Sequence, residues 1–384
     1  MTPVAPLSID QARDLILRAM PRPSGHEIVA LADAPGRVAA RDVVAPGDQP
    51  RFDAAAMDGW VVSGQAGIYD VVGESRAGAA YAHHLGEGQA VAISTGAPVP
   101  PGATALVRRE QGHDAAGQLT IAAYGPGRDM RARGCDFRAG DVLVAGGRVI
   151  DHLDLARMAA AGLDRVVVAP VPRVALLATG DEIAVGGAAA GPWGTYDALS
   201  PAIMARIGGA AHLGVARDVD GDIAARVAAS DAQIVIVIGG ASGGRHDRVR
   251  HALAPQRLEV VVPGVAMRPG KPFWCGHLDG GRMVFGLPGN PVAALVALEM
   301  FVLPALMVAQ GGMGDQAWID LDPETDSAGC ERVCFARWDA GPDGRIRARE
   351  LGRGDSAALA PLAGANGLVR KGGGMRRLLM LNRG

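Results

Sequence analysis

The run Ile234-Val-Ile-Val-Ile238 constrains this chain more than any other segment. Five consecutive apolar β-branched residues read as a strand buried on both faces. The run leads straight into Gly239-Gly-Ala-Ser-Gly-Gly244, and Asp247 follows just before a helical pattern. Glycines at such a place let backbone N–H groups approach an anion closely, and the next helix adds the positive end of its dipole. At the end of a parallel strand, this is where α/β proteins bind phosphorylated ligands.

The surrounding pattern supports that reading. Between Pro172 and about residue 312, strands expected at 173–178, 211–215, 234–238, 259–262 and 282–285 alternate with helices at 201–207, 223–229 and 248–253. This order predicts a three-layer α/β/α domain with a mostly parallel sheet. Residues 46–145 instead show short strands punctuated by glycine and proline, which predicts a β-rich domain. Residues 317–384 do the same and predict a closing small β-barrel or sandwich. Helices are expected at 8–20, with Ser8 as N-cap, at 154–161, and in the first part of 26–45. The tract Val292 to Ala309 carries Glu299 and Pro304. It reads as a core helix kinked or ended near Pro304, not a membrane span.

Composition narrows the function classes. A net charge of −2 carries no general nucleic-acid signature. Cys135, Cys275, Cys330 and Cys334 are too few and scattered for a disulfide framework, and the lone C-x3-C has no second ligand pair for zinc. Residues 1–20 have no basic start followed by an apolar stretch, so a soluble, cytoplasmic protein is expected. Of 38 basic residues only Lys271 and Lys371 are lysines. Lys271, in Arg268-Pro-Gly-Lys-Pro272, reads as an ammonium held by a rigid turn, whereas Lys371 reads as a solvated turn residue.

Three polar turns follow expected strands: Thr179-Gly-Asp-Glu182, the 239–247 loop, and Gly286-Leu-Pro-Gly-Asn-Pro291, with Asn290 placed to cap a helix and Pro291 at its first position. On one sheet edge they would form a crevice of amides and carboxylates. Carboxylates beside a phosphate cradle call for a cation, and Mg²⁺ takes one or two carboxylates with phosphate oxygens and water. Asp181, Glu182 and Asp247 are the candidates from pattern alone.

Together with Ala56-Met-Asp-Gly59, Ser94-Thr-Gly-Ala-Pro-Val-Pro100, Gly134-Cys-Asp136, Gly140-Asp141 and Gly354-Asp-Ser356, these segments resemble the molybdopterin molybdenumtransferase family (MoeA and the E domain of gephyrin). The matching motifs run almost end to end. The resemblance implies a multidomain α/β homodimer: residues 1–45 with 146–171 as an elongated linker and dimerisation domain, 46–145 as the β-rich inserted domain, 172–316 as the molybdopterin-binding domain, and 317–384 as the β-barrel. It implies insertion of molybdate into adenylylated molybdopterin with Mg²⁺, releasing AMP, in an active site shared between subunits. Asp58, Thr95, Asp136, Glu182, Asp247 and Lys271 would be catalytic, and Glu182, Asp218 and Asp247 would hold the metal. Gly239, Gly240, Ser242, Gly244, Arg268, Pro269, Gly270, Gly286, Pro288, Gly289, Asn290 and Ser356 would bind the pterin ligand, with Arg332 nearby. A molybdopterin adenylyltransferase and apo-molybdoenzymes are the implied protein partners. The chain departs from the family at Gly243-Gly244, at Arg268 and at Leu199, where a polar ligand contact is expected. Two competing readings follow: a degenerate paralogue serving as a pterin- or partner-binding scaffold, and the adenylyltransferase of the same pathway.

Overall fold

Two units divide the chain: Met1–His26 with Ala169–Gly384, and Glu27–Val168. The computed structural model describes residues 6–65, 67–121, 129–184, 188–240, 248–323, 330–352 and 355–381.

In the larger unit, the apolar runs pair into one sheet because each buries both faces. Its strands are Val174–Thr179 (β1), Ala211–Ala216 (β2), Ile234–Ile238 (β3), Glu259–Val262 (β4), Trp274–Leu278 (β5) and Arg282–Leu287 (β6). Their spatial order is β2-β1-β3-β6-β5-β4. The first four of these are mutually parallel, and β5 runs antiparallel to both β6 and β4. The sheet is therefore mixed, and β5, which the alternation did not reveal, is what reverses it. Helices Ile9–Ala19 (α1), Leu199–Ile207 (α2), Asp220–Ala229 (α3), Arg248–Leu253 (α4) and Pro291–Ala309 (α5) cover the two faces.

Alternation along the strands sorts the core into two layers. Leu176, Ile234, Ile236 and Phe285 pack with Ile9 and Ile16 of α1, Ile203 of α2 and Phe301 of α5. Leu177, Val235, Val237 and Val284 pack on the opposite face with Ile223, Val227, Val249 and Leu253. Helix α1 starts as expected, with a capping box between Ser8 and Gln11. It joins this larger unit, although the sequence grouped it with residues 27–45. Helix α5 is long and apolar enough to cross a membrane, but most of it is buried in the core. It neither ends nor breaks at Pro304: residues Leu298–Val302 widen to a π turn just before the proline, which has no N–H to continue the ladder. The Glu299 carbonyl accepts instead from Gln316 Nε2 at 2.7 Å.

The C-terminal strands Trp318–Asp320 (β7), Glu331–Ala340 (β8), Ile346–Glu350 (β9), Gly367–Gly372 (β10) and Met375–Met380 (β11) belong to a second six-stranded sheet with Met267–Arg268. Val333, Phe335, Leu368 and Leu379 lean on the α1/α5 core. Lys371 is not a solvated turn residue. It lies in β10, largely buried, with Nζ 2.8 Å from Glu350 Oε1.

A clamp ties the first helix to this sheet. Buried Arg370 of β10 donates from Nη1 and Nη2 to the two Asp10 oxygens, both at 2.7 Å, and from Nε to Glu331 at 2.6 Å. Burial disfavours the guanidinium charge, but the bonds to Asp10 and Glu331 outweigh that and hold its pKa above the usual arginine value. The same bond from Arg370 holds the Asp10 carboxyl below its ordinary range. Arg370→Met is expected to cost about 2–4 kcal/mol, since it strands Glu331 and frees α1. Asp10→Asn, at a mostly exposed carboxylate, is expected to cost under about 1 kcal/mol. The Asp10 contribution exists above its unfolded pKa and disappears as pH falls through the lower folded value. Urea denaturation at pH 7 and pH 3.5 measures both, and wild-type stability in Arg370→Met would show that the clamp does not hold the helix.

The smaller unit has a mixed six-stranded sheet, in the order 105–108, 59–62, 89–93, 68–75, 118–121, 112–115. A separate core gathers Leu143, Ile150, Met158, Val166 and Val168 around the helix His152–Ala160. The helix expected in 26–45 is instead the strand Glu27–Ala30 followed by a three-residue turn of 3-10 helix. Its register against Arg165–Val168 supplies partners that the local pattern did not contain.

Candidate functional site

Register decides where the polar turns go. Ala178 pairs with Ile238, Ile238 with Leu287, and Thr179 with Ala216, so β1, β2, β3 and β6 end together. The turns that follow leave one edge of the sheet and border a single cleft of about 790 Å³. Of the expected residues, Glu182, Asp218, Gly239, Gly240, Pro288, Gly289 and Asn290 line it. Ser242, Gly244 and Asp247 lie outside the described residues, as do Gly243 and Gly354.

The glycines divide into two roles. Gly239 has φ +89°, and a Cβ there would stand 2.7 Å from the Thr179 carbonyl; its own N–H is spent on Leu287 at 3.1 Å. Gly180 likewise donates to Ala216 at 3.1 Å, and a Cβ on it would meet the Glu182 carboxylate. These two let strand ends meet and offer no amide to a ligand. Among the described residues, the N–H groups of Gly240, Gly289 and Asn290 have no hydrogen-bond partner, so the cleft can present these amides to a ligand. A Cβ at Gly286 would overlap the Trp274 indole nitrogen. That glycine sits inside β6, absent from the cleft lining, and serves the fold.

Asn290 stands at the N-cap position of α5 with Pro291 after it, but its side chain makes no cap bond. Asn290 Nδ2 donates to Ser356 Oγ at 2.9 Å, and the Ser356 carbonyl takes the Val292 N–H at 2.9 Å. Ser356 thus anchors the wall to which Ala357 and Leu359 contribute. The sequence missed the work of Asp197, whose Oδ1 accepts the N–H groups of Leu199 at 3.1 Å and Ser200 at 2.9 Å and so starts α2. Asp181 is a tether rather than a free ligand: its Oδ1 accepts the Asp218 N–H at 3.1 Å. Leu199 lines the cleft while 5% exposed, joining the α1/α5 core.

Arg268-Pro269-Gly270-Lys271 forms a fixed turn. The 268–269 peptide is cis, Gly270 has φ +110°, the Gly270 carbonyl accepts from Phe273 N–H at 2.9 Å, and the Lys271 carbonyl accepts from Val265 N–H at 3.1 Å. The side chains of Arg268 and Lys271 are exposed, and neither has a bond or ion pair among the described residues. Met267–Arg268 pairs in parallel with Glu331–Arg332, which sets Arg268 beside Arg332. Pro272, next in the chain, lines the cleft.

In the smaller unit the antiparallel pair Gly59↔Ile93 brings Asp58 beside Thr95. Asp58 Oδ1 accepts from Thr95 N–H at 2.7 Å and from Thr95 Oγ at 2.8 Å. The backbone bond from Thr95, then its hydroxyl bond, then the Arg109 charge hold this exposed carboxyl below its usual range. Asp136 is exposed, with its N–H donated to the Gln49 carbonyl at 3.0 Å.

Comparison with known proteins agrees with this anatomy. Residues 7–162 match the MoeA N-terminal region (domain I and II), and residues 175–308 match the probable molybdopterin binding domain. The molybdopterin molybdenumtransferase 2 of Mycobacterium tuberculosis is 34% identical over 322 residues, 78% of this chain and 79% of that one. The molybdopterin molybdenumtransferase of Haemophilus influenzae is 32% identical over 79% of this chain and 78% of its own. The crystal structure of a molybdopterin biosynthesis moea protein from Pyrococcus horikosii superposes with a TM-score of 0.79 at 27% identity, covering 98% of this chain and all of that one. The multidomain α/β fold with mixed sheets is the MoeA fold. By extent and identity alike, the chain belongs to the molybdopterin molybdenumtransferase family of molybdenum cofactor biosynthesis.

Proposed function

We propose that this protein inserts molybdate into adenylylated molybdopterin and releases AMP, acting as a cytoplasmic homodimer of four-domain subunits. The observation that carries the reading is the cleft at the shared end of β1, β2, β3 and β6. Its volume of about 790 Å³ falls in the range of roughly 300–1,000 Å³ found for small-ligand pockets. It joins unpaired amides to carboxylates, which suits a ligand bearing phosphate.

Mg²⁺ fits the donors. Glu182 and Asp218 both line the cleft, and two carboxylates leave the remaining positions for phosphate oxygens and water, as this ion prefers. When bound, the ion would neutralise developing phosphate charge. The chain's own residues do the positioning. Gly240, Gly289 and Asn290 amides fix a phosphate, Asp181 holds the Asp218 turn, and Ser356 holds Asn290. Asp58, kept ionised by Thr95, can orient water or accept a proton. Arg268 and Lys271 offer free cations to an oxyanion such as molybdate.

Purified protein given adenylylated molybdopterin, molybdate and Mg²⁺ is expected to release AMP and yield a cofactor that activates an apo-molybdoenzyme. Should the Mycobacterium tuberculosis relative succeed under the same conditions where this chain fails, the scaffold reading takes over. Leu199, apolar and turned to the core where a polar contact was expected, is the observation that favours that alternative.

A further inference from the structure

We propose that Arg248 is the phosphate-recognising cation of the cleft, a role that rests on the cleft being the substrate site. Arg248 opens α4 and lines the cleft, with an exposed side chain. Its Nη1 donates to the Asp218 carbonyl at 2.7 Å. Asp218 is held from its other side, because its N–H donates to Asp181. The guanidinium is therefore fixed to a turn that is itself fixed, and much of the rotamer freedom an arginine loses on binding is already lost.

A guanidinium carries five N–H donors, and the Asp218 carbonyl takes one. The remaining donors of Arg248 have no partner among the described residues. Arg248 and Gly240 line the same cleft, and the backbones meet next to Arg248, since a Cβ on Gly240 would fall 2.6 Å from Val249 Cγ2 and 3.7 Å from Val249 N. A planar fork and an unpaired amide thus line one cleft, a donor set that suits the oxygens of a phosphate monoester.

Charge favours such a cation. The described lining residues of acidic or basic type charged at neutral pH are Glu182, Asp197, Asp218 and Arg248, three acids and one base. A phosphate entering that field is repelled unless a positive group meets it, and Arg248 is the one described lining residue able to do so without a metal. The phosphate could belong to the pterin or to the nucleotide; the recognising chemistry is the same.

Titration calorimetry separates the sources and the roles, using anaerobic molybdopterin, AMP, adenosine and sodium molybdate as probes, without Mg²⁺. In Arg248→Met, affinity for a phosphate-bearing probe is expected to fall about 10-fold or more, as for loss of a charged hydrogen-bonded pair, with adenosine unchanged. Arg248→Lys should recover part of that loss by charge alone. Loss with AMP but not molybdopterin assigns the nucleotide phosphate, and the converse assigns the pterin phosphate. The proposal is overturned if Arg248→Met, with a melting temperature within a few degrees of wild type, binds molybdopterin and AMP as tightly as the wild type. It is also overturned if adenosine weakens equally, which would leave Arg248 as a support for the Asp218 turn, or if only molybdate is affected. Wild-type protein that binds none of these probes would instead remove the reading of the cleft itself.

Discussion

Gly286→Ala is expected to destabilise the protein strongly. Gly286 lies next to the end of β6, buried, and a Cβ there would overlap Nε1 and Cε2 of the fully buried Trp274 on the adjacent strand. Neither side can give way. The indole packs among Leu177, Val237 and Val284, and the Arg250 guanidinium stands 5.2 Å from its ring. Overpacking of this kind costs about 1–3 kcal/mol where a site can relax and more where it cannot, so a loss of at least about 3 kcal/mol is expected. Differential scanning calorimetry measures it as a drop of several degrees. The second variant, Gly286→Ala with Trp274→Leu, removes the obstruction, and no hydrogen bond is sacrificed because Nε1 has no partner. Recovery of at least half the loss in that double variant is the expected result. A double variant no better than the single one would show that backbone conformation, rather than the indole, forbids a side chain there.

The second large effect is on turnover. Asp58→Asn is expected to reduce AMP release about 10²–10⁴-fold, the span for loss of a positioned acid or base, while leaving the melting temperature nearly unchanged because the side chain is exposed. Thr95→Val keeps the carboxylate but removes the hydroxyl bond, so a smaller loss of about 10-fold is expected. The pH profile separates their roles. Thr95 stabilises the charged form of Asp58, so activity that depends on the carboxylate is retained above its lowered pKa and falls as pH drops through it. In Thr95→Val the acid limb should therefore move to higher pH. An unchanged acid limb, measured between pH 3.5 and 7, would mean that Asp58 is not the group whose ionisation the reaction senses.

Much of this protein was legible along the chain because local physics is local. The predominantly apolar runs at 174–179, 234–238 and 283–287, the second of them β-branched throughout, are stable with both faces covered, and they lie in the central strands observed. Ser8 announces α1, because a hydroxyl three residues before Gln11 satisfies the first free amide. The ordered motifs named the family, and the turns after β1, β3 and β6 were expected on one edge and found there.

The sequence could not say what each residue in those turns does. Gly239 and Gly286 look alike as letters, but one lets two strand ends close and the other clears space for an indole twelve residues earlier. Asn290 looks like a helix cap until Ser356, 66 positions on, takes its amide. Lys371 and Arg370 look like a charged turn until β8, β9 and α1 bring Glu350, Glu331 and Asp10 to them. Arg248 carried no signal beyond its charge, because the carbonyl that aims it belongs to a different strand's turn. Periodicity and propensity fixed which segments became strands and helices, since those depend on neighbours within a few residues. Partner choice across tens or hundreds of residues was settled only by the folded packing, since register and close approach depend on every element at once.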